Sequence, residues 1–189
     1  MKKLNIEEEN REKLKKFIGP PLINSFKEFY NLDNETANKA VQYFREYFSE
    51  KGVLQNFLYE GIDDLLAKLK SKNFKLFVAT SKPTTYAKQI LNNLSINHLF
   101  IDIIGSNLDN SRTDKTEIIK YILDKHQLNN KECIMIGDRK FDINGAKNNS
   151  MLSVGVAYGH GSIKEFQESE ADFIVDNCID IFNTINKLP

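Results

Sequence analysis

Apolar positions follow two different periods along the chain, and the change falls near Tyr59 to Gly61. Before it, Leu14, Phe17 and Ile18 recur at helical spacing until Gly19-Pro20-Pro21 breaks the segment. Leu22, Phe26 and Phe29 form a second stripe. Asp33-Asn34-Glu35 predicts the start of a third helix, with Val41, Phe44, Tyr47 and Phe48 along one side. Residues 1–58 therefore read as a small helical unit, with its Phe and Tyr residues as core.

After Gly61 short apolar runs appear at Lys75–Thr80, Ile101–Gly105, Cys133–Gly137, Leu152–Ala157 and Phe173–Val175. Helical stretches at 62–72, 83–94, 115–127 and 140–149 lie between them. Continuous apolar strands alternating with amphipathic helices predict a parallel sheet flanked by helices, an α/β core over residues 59–189. The first three runs end in polar residues: Thr80 and Ser81, then Gly105, Ser106 and Asn107, then Gly137 and Asp138. Ligands of open parallel sheets bind outside the carboxyl ends of the strands, so these groups are expected on one edge.

Composition changes this picture little. The 189 residues hold 26 Lys plus Arg and 26 Asp plus Glu, a formal net charge of zero, which advertises no nucleic-acid or anionic-membrane partner. The charged N-terminus has no signal-like apolar region and no run is long enough to span a membrane, so a cytoplasmic location is expected. Cys133 and Cys178 both sit in strand-like apolar contexts and read as buried free thiols.

Three segments bear candidate chemistry, and each has a plain alternative. Asp138 and Asp142 follow an apolar strand and suit a hard cation such as Mg²⁺. Alternatively Asp138 caps a helix and Asp142 is solvated. Lys115, just before a helix, either reaches over the sheet edge to a phosphate or is a surface lysine. Thr80 and Ser81, ahead of Lys82-Pro83, offer either an anion site at a helix start or an N-cap.

Taken in order, Val78-Ala79-Thr80-Ser81-Lys82-Pro83, Lys115, and Gly137-Asp138 with Asp142 resemble the second, third and fourth motifs of haloacid dehalogenase superfamily hydrolases. Gly105-Ser106-Asn107-Leu108-Asp109, Tyr158-Gly159-His160-Gly161 and Phe17-Ile18-Gly19-Pro20-Pro21-Leu22 resemble the phosphoglycolate-phosphatase branch. The likeness runs from about Glu12 to Phe182 and implies a Rossmann-like core with a partial helical cap at 1–58. It implies Mg²⁺-dependent hydrolysis of a small phosphorylated metabolite. Thr80, Ser81 and Lys115 would bind the phosphoryl group, with Thr80 and Lys115 catalytic and Asp138 and Asp142 at the metal. The cap near Gly19–Leu22, with Arg45, would select the substrate.

One departure shapes these expectations. The family's Asp-x-Asp-Gly-Thr motif, which supplies the nucleophile and the general acid/base, occurs nowhere in the chain. The start aligns with the middle of the cap, so on the order of 30 residues of the family pattern are missing. The chain is therefore expected to be truncated and inactive alone, with weak or absent Mg²⁺ binding. A non-catalytic remnant that binds phosphate or a protein is the alternative, and a separate chain supplying the strand is a third reading. In the family that strand lies between the runs at Lys75–Thr80 and Cys133–Gly137. Its loss would leave backbone groups unpaired and favour self-association through the exposed sheet gap.

Overall fold

The computed structural model describes residues 2–4, 6, 8 and 10–188. They divide into two compact units, Met1–Asn56 and Phe57–Pro189.

The first unit contains α1 (Arg11–Leu14), a 3₁₀ turn at Lys15–Phe17, α2 (Leu22–Tyr30) and α3 (Asn34–Glu50). Gly19 at φ 111° supplies the turn between them, a conformation that side chains with a Cβ rarely adopt. Asp33 caps α3 by accepting the Thr36 N–H at 2.7 Å. The buried centre is Phe26, Ala37, Ala40 and Val41. The small alanines let α3 approach α2 closely. The aromatic side of α3 is not the core the periodicity suggests: Phe44 is 37% and Tyr47 51% exposed. Phe44 instead stacks on Phe48, ring centroids 5.3 Å apart.

The second unit alternates helix and strand. Its elements are α4 (Ile62–Ser71), β1 (Phe77–Pro83), α5 (Thr84–Asn93), β2 (Asp102–Ser106), α6 (Lys115–His126), β3 (Ile134–Gly137), α7 (Lys140–Asn148), β4 (Leu152–Val156), α8 (Ile163–Glu168), β5 (Phe173–Val175) and α9 (Cys178–Ile185). Every strand pairing among the described residues is parallel. They form two sheets, β1-β2 and β3-β4-β5, with no ladder joining β1 to β3. Cys178 corrects the sequence reading: it opens α9 rather than lying in a strand. Asn177 caps that helix, accepting the Asp180 N–H at 2.9 Å. No described helix is long and apolar enough to cross a membrane.

Side chains of Leu65, Leu69, Val154, Val156, Val175, Ile181 and Phe182 fill one core, with Leu76, Ile134 and Ile136 partly buried against it. Ile104, Ile118 and Ile122 fill another beneath α6, with Phe77 and Ala79 against it. β2 and β4 are buried at four of five residues each, whereas β1 and β3 are buried at none. Strand geometry explains where β1 and β3 open. Ile101 N–H donates to Leu76 O at 2.8 Å, which turns the peptide groups of Leu76, Val78 and Thr80 toward β2. Successive residues alternate, so Phe77 and Ala79 point theirs away from the ladder.

Candidate active site

Three strand ends and the helices that follow them build the site. β1 ends in Thr80, Ser81 and Lys82. Thr80 Oγ1 accepts the Lys82 N–H at 3.2 Å, folding the chain back toward α5. That hydroxyl is therefore an Asx-like turn acceptor rather than the N-cap of α5, which has no side-chain cap. Its own proton remains to be donated. Ser81 is held by its backbone, with its carbonyl accepting from Ser106 Oγ at 3.0 Å. This bond ties the ends of β1 and β2 together.

Lys115 is the first residue of α6, and Asp114 caps that helix by accepting the Thr116 N–H at 2.8 Å. The cap fixes where the lysine starts. Its ammonium donates to Ala79 O at 2.8 Å and lies 2.8 Å from Asp142 Oδ1. Ala79 O is one of the β1 acceptors turned away from β2, so Lys115 satisfies it and links β1 to the turn after β3. Both partners are nearly buried, with side chains 11% and 9% exposed.

Asp138 follows β3 directly, and Asp142 lies in the first turn of α7. Asp142 is not a solvated surface residue: it is buried, and Oδ2 accepts the Arg139 N–H at 3.1 Å. With Oδ1 on Lys115, both of its oxygens are engaged. Gly137 is required beneath it, because a Cβ there would collide with the Asp142 carboxyl. Asp138 Oδ2 accepts the His160 N–H at 3.0 Å. Its Oδ1 has no hydrogen bond among the described residues.

Three residues that periodicity alone did not single out, Lys82, Tyr158 and Tyr59, belong to this edge. Lys82 has its pKa lowered by desolvation of the ammonium, with Lys115 adding to the effect and Asp138 opposing it. Its signal in the sequence is its place two residues after Thr80 at a strand end. Tyr158 stacks edge-on with Tyr59, centroids 5.2 Å apart. Desolvation raises the Tyr158 pKa, helped by the hydrogen bond from Cys178. Desolvation likewise raises Tyr59, with the Asp138 charge adding to it. Two carboxylates, two lysine side chains and two phenols thus share one end of the unit.

For a cation the donor set is narrow. No group of three or more His, Cys, Asp and Glu side chains among the described residues could hold a metal ion. Mg²⁺, however, keeps several waters and is commonly held by one or two carboxylates together with substrate phosphate. Asp138 Oδ1 fits as one hard oxygen of that kind, and Asp142 fits as the group that steadies Lys115 rather than as a ligand.

Comparison with known proteins is consistent with this arrangement. The family described as haloacid dehalogenase-like hydrolase matches residues 1–156. A 5'-nucleotidase of Pseudomonas aeruginosa is 40% identical over 165 residues, 87% of this chain and 75% of the relative. A phosphoglycolate phosphatase of Vibrio parahaemolyticus is 26% identical over 168 residues, 89% of this chain and 74% of the relative. Among solved structures, a predicted phosphatase from Clostridium acetobutylicum superposes with a TM-score of 0.96 at 42% identity, covering 99% of this chain and 87% of that one.

Proposed function

The chain belongs to the haloacid dehalogenase-like hydrolase family, in its phosphatase branch, and from that premise we propose that it handles a small phosphate monoester in the cytoplasm. The observation that supports this most is Lys115, whose ammonium bridges Ala79 O and Asp142 Oδ1, each at 2.8 Å. A cation held that firmly at the carboxyl ends of β1 and β3 stabilises a phosphoryl group without reorganising. Thr80 donates its hydroxyl to a phosphoryl oxygen, and Ser81 contributes its N–H. Asp138 would hold Mg²⁺, which supplies charge neutralisation at the phosphoryl group when bound. One carboxylate oxygen makes that binding weak.

These residues bind and neutralise, and none of them attacks. The sequence holds no Asp-x-Asp-Gly-Thr segment, so the 189 residues as given have no covalent nucleophile of the family type. We therefore expect no family-like turnover from this chain alone. Self-association through the unpaired edges of β1 and β3 is part of the same reading. Of the candidate substrates, a nucleoside 5'-monophosphate has the support of a 40% identical 5'-nucleotidase, and phosphoglycolate that of a 26% identical phosphatase.

The test is phosphate release from both esters, with and without Mg²⁺. One protein is the chain as given and the other carries a family strand with its Asp-x-Asp pair ahead of Met1. Turnover only in the extended protein, lost on Lys115→Ala, is the expected result. Mg²⁺-dependent turnover by the chain as given, lost on Asp138→Asn, would refute the assignment of roles.

A further inference from the structure

The turn that presents Asp138 is not self-supporting. It is clasped by the segment after β4 and by one acid on α8. Three contacts come from the loop Tyr158–Gly161. The His160 N–H donates to Asp138 Oδ2 at 3.0 Å. A Cβ on Gly159 would collide with the Asp138 side chain, and one on Gly161 with the Asp138 carbonyl. Backbone therefore lies flush against Asp138 on two sides, which only glycines permit.

A single carboxylate fastens the other side. Glu165 Oε1 accepts the Arg139 Nε–H at 2.9 Å and the Lys140 N–H at 2.6 Å. Lys140 opens α7, so Glu165, from a different helix, satisfies a donor at the start of α7. Its charge also favours that helix end. Glu165 is itself fixed: its N–H donates to Ser162 Oγ at 3.1 Å, and its carbonyl accepts from Ser169 Oγ at 2.7 Å. The Arg139 and Glu165 side chains are only 15% and 20% exposed, so the pair is sheltered rather than a loose surface contact.

We propose that Glu165 is a positioning residue for Asp138: by holding Arg139 and Lys140 it locks the turn so that one carboxylate oxygen is spent on His160 and the other stays free for a ligand. The inference rests on the reading of Asp138 as the metal-facing acid, and it extends the site to a residue 27 positions after Asp138. Glu165→Ala loses both hydrogen bonds. Glu165→Gln keeps an acceptor for the Lys140 N–H and loses the charge opposite Arg139.

Two readouts on the 189-residue chain test it without using turnover. The first is exchange of the His160 amide, which reports the clasp with no metal present. The second is titration with Mn²⁺, followed by its electron paramagnetic resonance signal. Asp102→Asn, which breaks an ion pair elsewhere in the unit, is the control for a general loss of stability. Glu165→Ala should speed His160 exchange and weaken Mn²⁺ binding roughly tenfold, the usual cost of losing an outer partner. Glu165→Gln should recover most of both. Asp102→Asn should lower the melting temperature and change neither.

Unchanged His160 exchange in Glu165→Ala overturns the positioning role. So does a glutamine variant no better than alanine. If exchange responds but Asp138→Asn leaves Mn²⁺ binding intact, the metal reading of Asp138 fails, and the link from Glu165 to a ligand fails with it.

Discussion

Among the described residues β1 and β2 pair with each other and with no other strand, and α5 and α6 lie against both, yet β2 is buried at four of five residues and β1 at none. Helix cover is therefore not what separates them. The difference is at the outer edge, which side chains close on β2: the Ile103 N–H donates to Asp102 Oδ1 at 2.9 Å, the Gly105 N–H to Thr84 Oγ1 at 2.9 Å, and Gly105 O accepts from Arg112 Nε at 3.1 Å. On β1 the peptide groups of Phe77 and Ala79 turn away from the ladder, where the Lys115 ammonium donates to Ala79 O at 2.8 Å. β3 and β4 repeat the contrast, with β4 laddered on both sides and β3 on one. An apolar strand between two helical layers is not a core strand unless its edges are closed as well. Fold stability in this unit is thus concentrated in β2 and β4, while chemistry gathers at the ends of β1 and β3.

The largest expected effect is on the buried side of that contrast. Ile104 on β2 is 5% exposed and packs on Ile118 and Ile122 of α6. Ile104→Ala should cost about 4 kcal/mol, from the lost transfer energy and the cavity left beneath α6. Urea unfolding of the parent and variant measures it. A cost near 1 kcal/mol would mean that β2 is no better packed than β1.

Next comes the polar clamp at the start of β2. Asp102 Oδ2 is 2.8 Å from Lys125 Nζ and 2.8 Å from His126 Nε2, and Oδ1 accepts the Ile103 N–H at 2.9 Å. Burial alone would raise the Asp102 pKa, but these bonds together outweigh it and hold it at about 2 against an ordinary 3.8. A lowered carboxylate pKa stabilises the fold above the unfolded value and loses that contribution as pH falls through the folded one. The stability from Asp102 is therefore complete above about pH 4 and gone near pH 2. Asp102→Asn should cost about 2 kcal/mol at neutral pH and flatten the stability profile across that window. A variant that keeps the parent's acid slope would show that other carboxylates govern it.

How much of this was legible beforehand depended on distance along the chain. Strand–helix alternation after Gly61 is a local pattern, and helix starts such as Asp33 and Lys115 are local too, so they could be read directly. Thr80, Lys115 and Asp138 were legible as strand-end or helix-start residues because parallel topology gathers such ends on one edge. What could not be read was which face of a helix finds a partner. Phe44 and Tyr47 look like core by spacing, but Ala37 and Ala40 allow the closer helix contact and take that place. Cys178 looks strand-like because apolar residues follow it, yet Asn177 caps a helix there. Asp142 looked like a ligand or a solvated acid, and only the fold shows both of its oxygens engaged. Glu165 gave no signal at all, since its partners Arg139 and Lys140 are about 25 residues away and joined to it only through the packing of α7 and α8.

The smallest effect sharpens the comparison most, because it repeats the first substitution on an open strand. Ile136 on β3 has the same side chain as Ile104 and lies against the core of Leu65, Val154 and Ile181, but it is only partly buried. Truncation there removes fewer contacts, and the space it leaves is continuous with the open side of the strand, so solvent or side-chain rotation relieves the cavity. The transfer term also shrinks in proportion to the apolar area already exposed. Ile136→Ala should therefore cost about 1 kcal/mol, against about 4 for Ile104→Ala. The two variants share chemistry, so their ratio reports edge closure rather than residue type. A strand added beside β3 should raise the Ile136 cost toward that of Ile104 and leave the Ile104 cost unchanged. Equal costs in the unextended chain would show that β3 is already closed, and the contrast between closed and open strands would fall.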